Sequence, residues 1–418
     1  VLQAADLDAQ DGSAPMILFT LAYVQERRAE PHVVQTLERA TTIPVGYCFP
    51  SRLEEMIVLE WALAKAPAMW IPAYLLGNLL YDKKRYEDAI HHWENAAKEK
   101  PAFATVHRNL AIAYFNVRQD WDRALEYFEI AFAANTHDAR VLYERDQLWK
   151  RTGRSPEERL GELSRFPLLI EARDDLSVEL ATLLNQVGKP GEALDLLLRR
   201  QFQPWEGGEG LVLAQYVRAR LLLGCHSLDR VDFANARDHF LAALQPPKNL
   251  SEAKHLLANQ SDIYFWVGES FHRGGDEENA RAWWLRAARQ RGDFQQMSVQ
   301  NISDMTYWTG LALERLGNKD QSAAIFTRIY DHSVELERTP PKIDYFATSL
   351  PAMLLFNEDL VRRHHIDALF LRAQALAGMG RTGESHSLLR EVLNLDRNHA
   401  GASDLLKHNK ILNGGSVL

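Results

Sequence analysis

The strongest constraint on this chain is a spacing. Twelve residues separate Gly77 from Ala89 and four more lead to Trp93, and the same twelve-then-four interval returns at Gly268, Ala280 and Trp284. Leu76, Tyr81, Ala96 and Pro101 complete the first set. Small residues set against a large ring let two antiparallel helices nest closely. One such pair leaves an apolar face uncovered, so it is stable only when neighbouring pairs stack on it. The chain must therefore build its core by repetition.

The spacing is the tetratricopeptide pattern, and it recurs along the chain. A second unit starts near Ala104, with Leu110, Ala111 and Tyr114, then Ala124, Phe128 and Ala131. Ala89 to Ala124 is thirty-five residues, one more than the usual ~34, and the extra residue is placed in the turn Arg118-Gln119-Asp120. A third first helix at Val141 to Arg151 is stopped by Gly153. It restarts at Ser155-Pro156-Glu157-Glu158, a capping Ser followed by a first-turn Pro and early acids, and its short second helix ends near Phe166-Pro167. The fourth unit runs from Asp174 with Ala181, Leu184, Gly188, Ala193 and Leu197. The fifth has a first helix over Leu211 to Leu223, an insertion at Cys225 to Val231, then Ala236, Phe240 and Ala243. Tyr264, Phe271 and Ala287 accompany the second complete interval. Gly310, Leu313, Gly317, Phe326 and Ile329 mark a seventh unit, and Ala373, Leu376, Gly380, Leu389 and Val392 the last.

The expected fold is all-α: a tetratricopeptide-like helix-pair solenoid forming a right-handed superhelix with a concave surface, with no sheet beyond two short strands. The chain divides into a helical lead-in over 1–67, in which Leu59, Ala62 and Pro67 form half of a weak first repeat, and repeats over 68–200. A loop insertion and irregular repeat fill 201–260, repeats return over 261–338, an insertion covers 339–365, and a last repeat and tail occupy 366–418.

Charge narrows the partners. A net charge of −8 and a pI near 6.0 argue against nucleic acid, which needs a basic stripe matched to phosphate. No apolar run approaches the ~18 residues of a membrane span. Cys48 and Cys225 are too few for a disulfide framework and read as reduced thiols. The chain opens at Val1 without a signal-peptide pattern, so cytoplasm is the expected compartment, with a targeting segment upstream of Val1 left open. Dispersed or adjacent histidines (His91-His92, His364-His365) do not make a metal set, and no cofactor is expected.

Two candidate sites follow. Aligned repeats put Tyr74, Arg108, Tyr143, Val178, Tyr216, Phe265, Tyr307 and Phe370 at the fifth position of each first helix. Six are aromatic. They read either as a stacking ladder on the concave face or as rings packed against neighbouring repeats, and at least half should show exposed ring atoms if the ladder holds. Arg108 is placed to grip a carboxylate in two-point fashion, of a ligand or of this chain. The second site is the loop Gln201 to Gly210. There Trp205, Glu206 and Glu209 stand among Gly207, Gly208 and Gly210, offering one ring and two carboxylates for ligand contact. A structural plug is the plainer reading of Trp205, and paired-acid glycoside chemistry a remote one.

Phe49 to Glu55, Leu76 to Lys83, His107 to Leu110, Ser155 to Arg159, the Trp205 loop and Asp344 to Pro351 together resemble a known arrangement. The chain is similar, from about Phe49 to Leu406, to the C-terminal tetratricopeptide-repeat half of large bacterial proteins. Their N-terminal half is a β-sandwich like that of sugar mutarotases. The resemblance implies a link to carbohydrate processing through a domain outside this chain, and no catalytic residue is carried over. Two functions are expected. The first is a non-catalytic interaction scaffold, with a protein or peptide in the concave groove or the β-sandwich of the same polypeptide docked on it. The alternative is a carbohydrate-binding or substrate-positioning module of a larger sugar-acting bacterial enzyme, with Trp205 and the ladder touching glycan.

Overall fold

The computed structural model describes residues 15–205, 207–295, 298–341 and 355–412. They group into two compact units: those up to Leu148 together with Leu355–Asn357, and those from Trp149 onward apart from these three. In the first unit α1 (Pro15–Arg27), α2 (Val33–Ala40) and α3 (Leu53–Lys65) lead into the pair α4 (Trp70–Asp82) and α5 (Tyr86–Glu99). The pair α6 (Ala104–Ala113) and α7 (Trp121–Ala134) follows, and α8 (Ala139–Arg151) begins. In the second unit α9 (Pro156–Leu163) and α10 (Pro167–Ala172) precede the pairs α11 (Asp174–Gln186) with α12 (Pro190–Arg199), and α13 (Leu211–Asp229) with α14 (Phe233–Ala243). The pair α15 (Ser261–Arg273) and α16 (Glu277–Ala288) comes next. Then come a two-stranded antiparallel hairpin, β1 (Asp293–Gln295) and β2 (Ser298–Gln300), and the pair α17 (Thr306–Arg315) and α18 (Lys319–Arg338). The pair α19 (Leu360–Gly378) and α20 (Thr382–Leu395) and a final α21 (Ala400–Leu412) end the described chain. Each first helix from α11 onward packs on its own second helix, and α13, α15, α17 and α19 each pack on the first helix of the preceding pair. This is an all-α tetratricopeptide-like solenoid.

One joint closes every first helix. A single residue with positive φ ends each of them: Lys84, Gln119, Gly153, Gly188, Val231, Gly275, Gly317 and Gly380. The next residue donates its N–H back to the carbonyl five positions earlier, as Arg85 does to Leu80, Lys189 to Leu184, Asp276 to Phe271 and Arg381 to Leu376. This left-handed cap satisfies the last carbonyls of the helix and turns the chain sharply. Asp120 is the exception, donating instead to Tyr114, six positions back. Tyr114–Arg118 is wound as a π turn. The extra residue of the second repeat is therefore taken up inside the end of the first helix, upstream of the turn to which the sequence assigns it.

The twelve-then-four interval has a direct steric meaning. A Cβ built on Gly77 would sit 2.4 Å from the Trp93 ring, on Gly224 2.2 Å from Phe240, on Gly268 2.5 Å from Trp284 and on Gly310 2.5 Å from Phe326. The helices approach so closely that the ring lies on bare backbone. Trp93, Phe128, Phe240, Trp284 and Phe326 are accordingly buried, none more than 4% exposed. Where the first-helix position is Ala (Ala181, Ala373), the partner sixteen residues on is the smaller Leu197 or Leu389, and all four are fully buried. At these two contacts the smaller Leu makes room for the added methyl group.

The fifth repeat corrects one expectation. Cys225 to Val231 is not an insertion: α13 runs unbroken to Asp229, burying Cys225 and Leu228, and turns only at Val231. The segment is apolar on its inward side, so adding helix costs less than looping buried residues out. Asp344 to Pro351 lies outside the described residues.

Candidate functional site

Most rings of the expected ladder point into the stack. Tyr74 and Phe370 are 7% exposed, Tyr216 and Tyr307 2%, and Phe265 1%, while Tyr143 is half-buried. Tyr74 meets Phe103 edge-on at 5.0 Å, Phe265 lies 5.5 Å from Trp308, Tyr307 lies 5.9 Å from Phe326, and the Tyr216 hydroxyl donates to the Ala242 carbonyl at 3.1 Å. Burial pushes the Tyr307 hydroxyl pKa well up. The open ladder is thus corrected to a row of packing contacts. The fifth position sits where one helix meets the next pair, and a ring there is worth more dry than wet. Val178, at the same position, is buried as well.

The polar residues of that row behave differently. In the first unit Arg108 grips Glu144 with two hydrogen bonds, Nε to Oε2 at 2.5 Å and Nη2 to Oε1 at 2.6 Å, and Arg140 adds a third at 2.8 Å. Arg108 clamps a carboxylate as its position allows, but the carboxylate is this chain's own. Asn109 donates to the Asn78 side chain at 3.1 Å, and the Trp93 indole N–H donates to the same oxygen at 3.0 Å. Asn78, Asn109, Arg108 and Glu144 thus form a polar row across α4, α6 and α8, with Asn78, Arg108 and Asn109 part-exposed.

In the second unit the corresponding face is occupied. α21 lies across the first helices. Asp404 accepts two hydrogen bonds from Arg218 on α13, at 2.8 and 2.9 Å, while Gln186 on α11 accepts a third from the same guanidinium at 2.6 Å. The His408 ring stands 5.0 Å from Trp266 and 5.6 Å from Trp308, and Arg273 donates to the Ile411 carbonyl at 2.9 Å. Just before α21, His399 rests on Phe370 at 4.8 Å and Asn398 accepts from Arg159 at 2.6 Å. Burial drives the His408 pKa down to about 4; Asp404 opposes that shift, and Lys407 and Arg218 add to it. Burial also pushes the Cys225 thiol well up, with Asp404 adding to it. Buried Arg159 also meets Glu179; burial raises that carboxyl's pKa, but Lys150 and Arg159 together hold it below the ordinary range. The interface between α21 and this face joins these polar contacts to an apolar core that includes Ala402, Leu405 and Ile411.

The Trp205 loop is latched from below. Phe202 is fully buried and exchanges hydrogen bonds with Asn249 and Ser251, while Asn249 also donates to the carbonyls of Leu197 and Arg200. Trp205 is half-buried against the core around Phe202 and Leu250. Its ring lies over Gly208, where a Cβ would come within 1.9 Å. Glu209 is exposed, and Glu206 lies outside the described residues. Two other carboxylates hold the backbone here: Asp174 accepts from the Gln203 N–H at 2.8 Å, and Glu252 accepts from Gly210 and Leu213 at 2.9 Å and so caps the start of α13. The sequence hides Glu252 because it stands about forty residues from the amides it meets.

A further contact lies at the π turn. Asn116 donates to the Leu355 carbonyl at 2.9 Å and accepts from the Asn357 N–H at 2.8 Å, and the Asn357 amide reaches the Asn116 carbonyl at 3.3 Å. Between them Phe356 is 1% exposed, set edge-on to Phe115 at 5.0 Å and to Phe128 at 6.0 Å. No spacing rule marks Asn116. Its only sequence signal is the extra residue that the π turn absorbs.

A family match agrees with this fold over the residues it covers. The TPR repeat family model matches residues 77–117, from the Gly77 contact into the π turn. The chain carries tetratricopeptide repeats. Among solved structures it is similar to YrrB, described as a TPR protein with an unusual peptide-binding site, at 16% identity over 55% of this chain and 90% of that one, TM-score 0.21. It is similar to a tetratricopeptide repeat protein from Parabacteroides merdae at 14% identity over 71% of this chain and 97% of that one, TM-score 0.32. The structure of Naa15/Naa10 bound to HypK-THB matches at 12% identity over 94% of this chain and 54% of that one, TM-score 0.41. No helix among the described residues is long and apolar enough to cross a membrane.

Proposed function

We propose that this tetratricopeptide-repeat chain is a non-catalytic protein-interaction scaffold that takes peptide or docks a partner domain on the faces built by its first helices. The observation that carries the reading is the state of the second unit, where such a face already holds a polypeptide segment. Arg218 grips an acidic side chain of α21, Arg273 caps a carbonyl near its end, and Trp266 and Trp308 border its imidazole. These are the means by which one chain recognises another: charge-assisted hydrogen bonds at the polar points and rings at the buried ones. The partner-accepting face is then that of the first unit, where Asn78, Arg108 and Asn109 are part-exposed. One occupant consistent with the resemblance above is the β-sandwich region of the same polypeptide. A glycan fits less well, because a sugar chain stacks on open ring faces and most of the ladder rings are buried.

The test is selection from a displayed random-peptide library against the full chain, followed by mapping of each selected peptide by hydrogen exchange. The reading expects enriched sequences that protect α4, α6 and α8. A library that yields no binder, or binders that protect only second helices, counts against it.

A further inference from the structure

We propose that Phe115, Asn116 and Phe128 form a recognition site for a non-helical, bent peptide segment carrying a Phe-Asn pair, and that Leu355–Asn357 is its resident occupant. The inference rests on the scaffold reading and adds to it a separate site with a stated ligand chemistry.

The site begins with the extra residue of the second repeat. In the other repeats the residue after the left-handed turn bonds five positions back, whereas Asp120 bonds six back to Tyr114. Widening the last turn to a π turn shifts Phe115 and Asn116 relative to a regular helix. Single π turns within α-helices recur at functional sites for this reason: they re-aim side chains at the cost of helical regularity. Phe115 stacks at 6.1 Å on Trp121, the first residue of α7, and so forms one wall. Phe128, fully buried, forms the floor.

What the site reads is specific to a peptide. The Asn116 side chain contacts the main chain on both sides of Phe356, donating to one carbonyl and accepting from the N–H two residues on. Main-chain reading of this kind accepts a segment of the same backbone course whatever chain supplies it. Sequence enters through the ring, which is almost wholly enclosed, and through the Asn357 amide on the Asn116 carbonyl. The segment arrives from about 240 positions away in sequence and bends at Leu355 and Phe356, with neither helix nor strand at Leu355–Asn357. A connection that only had to cover distance would not need to bury a phenylalanine or satisfy both edges of one asparagine.

The test uses the full chain with Phe356→Ala, which empties the site of its ring, and a labelled synthetic peptide of residues 355–361. Fluorescence anisotropy should show the peptide binding this variant at least about tenfold more tightly than the unaltered chain, where the resident segment competes at an effective concentration of order millimolar. Adding Asn116→Ala, or replacing Phe by Ala in the peptide, should weaken binding by about tenfold or more, a ring anchor and a paired amide each being worth that much at an interface. Equal binding to both proteins, binding indifferent to Asn116, or no binding at millimolar peptide would each overturn the proposal. So would concentration-dependent dimers of the unaltered chain that vanish with Phe356→Ala, since the site would then serve a second copy. A second measurement does not depend on the variant: excess peptide should speed amide exchange at Phe356 and Asn357 in the unaltered chain, and unchanged exchange refutes displacement. If this peptide fails while library-selected peptides still protect α4, α6 and α8, this inference alone falls. If neither binds, the scaffold reading falls with it.

Discussion

Adding one methyl group at Gly268 tests the repeat packing where it is tightest. Ala is ordinarily favoured over Gly inside a helix by about 1 kcal/mol, so a helix formed on propensity alone would be stabilised. At Gly268 the new Cβ would lie 2.5 Å from both Cδ1 and Nε1 of Trp284, about 1 Å inside normal contact distance. The indole is 4% exposed and has no room to retreat, and overpacking of this kind costs about 1–3 kcal/mol. Gly268→Ala should therefore fail to stabilise and should cost up to about 2 kcal/mol after the propensity gain is counted. Gly161 is the control, since it lies in α9, is exposed and has nothing within 4 Å of its built Cβ. Gly161→Ala should stabilise by about 0.5–1 kcal/mol. The chain's own Ala181–Leu197 and Ala373–Leu389 positions suggest the remedy. Gly268→Ala combined with Trp284→Leu should cost less than the two single changes added, with a coupling of about 1–3 kcal/mol. Denaturation in urea followed by far-ultraviolet circular dichroism gives the energies, and hydrogen exchange should show α15 and α16 and their neighbours loosening first. A Gly268→Ala chain as stable as the Gly161→Ala chain, or additive double-mutant energies, refutes the close-approach argument.

Removing the Arg108 side chain should cost about 2–3 kcal/mol by urea titration, because Glu144, with a side chain 5% exposed, would keep only the more exposed Arg140; no loss would mean the pair is idle. Free imidazole protonates near pH 6.5, whereas burial holds His408 near 4. Between those values the unfolded chain binds the proton and the folded chain does not, so stability at α21 should fall as pH drops through that window, by up to about 3 kcal/mol. A nuclear magnetic resonance titration placing the His408 midpoint near 6.5 contradicts this. Asp404→Asn should speed amide exchange in α21 while leaving α4 to α7 unchanged, and uniform change in both units would dissociate the effect from the Arg218 contact. Trp205→Ala should weaken a partner that docks near the loop by about 1–3 kcal/mol with helix content intact; unfolding of α11 to α14 instead makes Trp205 a core plug.

How much of this was readable from the sequence depends on the range of the contact. Gly77 with Trp93 and Gly268 with Trp284 lie one helix pair apart, and steric demand writes them as a fixed interval. The Ser155 start of α9 was equally local, its hydroxyl and Glu158 exchanging the bonds of a capping box. The fifth-position rings are legible as a row, but whether they form an open ladder or pack against neighbours is not, because periodicity gives the direction of a side chain and not what stands opposite it. Phe103 and Trp308, which cover Tyr74 and Phe265, belong to neighbouring repeats. Asp404 and Arg218 stand 186 positions apart, and nothing in an ordinary-looking C-terminal helix announces which face it will cover. Asn116 is hidden for a different reason: the spacing places the extra residue in a turn, whereas here the end of the helix takes it up by rewinding as a π turn.

The most direct test of the scaffold account is hydrogen exchange on the full chain, alone and saturated with a library-selected peptide. A ligand at a hundred times its Kd stabilises the state it binds by about 2.7 kcal/mol, which slows exchange through that state roughly a hundredfold. The account predicts such slowing in α4, α6 and α8, the helices that carry Asn78, Arg108, Asn109 and Glu144. Protection confined to α5 and α7, or none in the first unit, would contradict it.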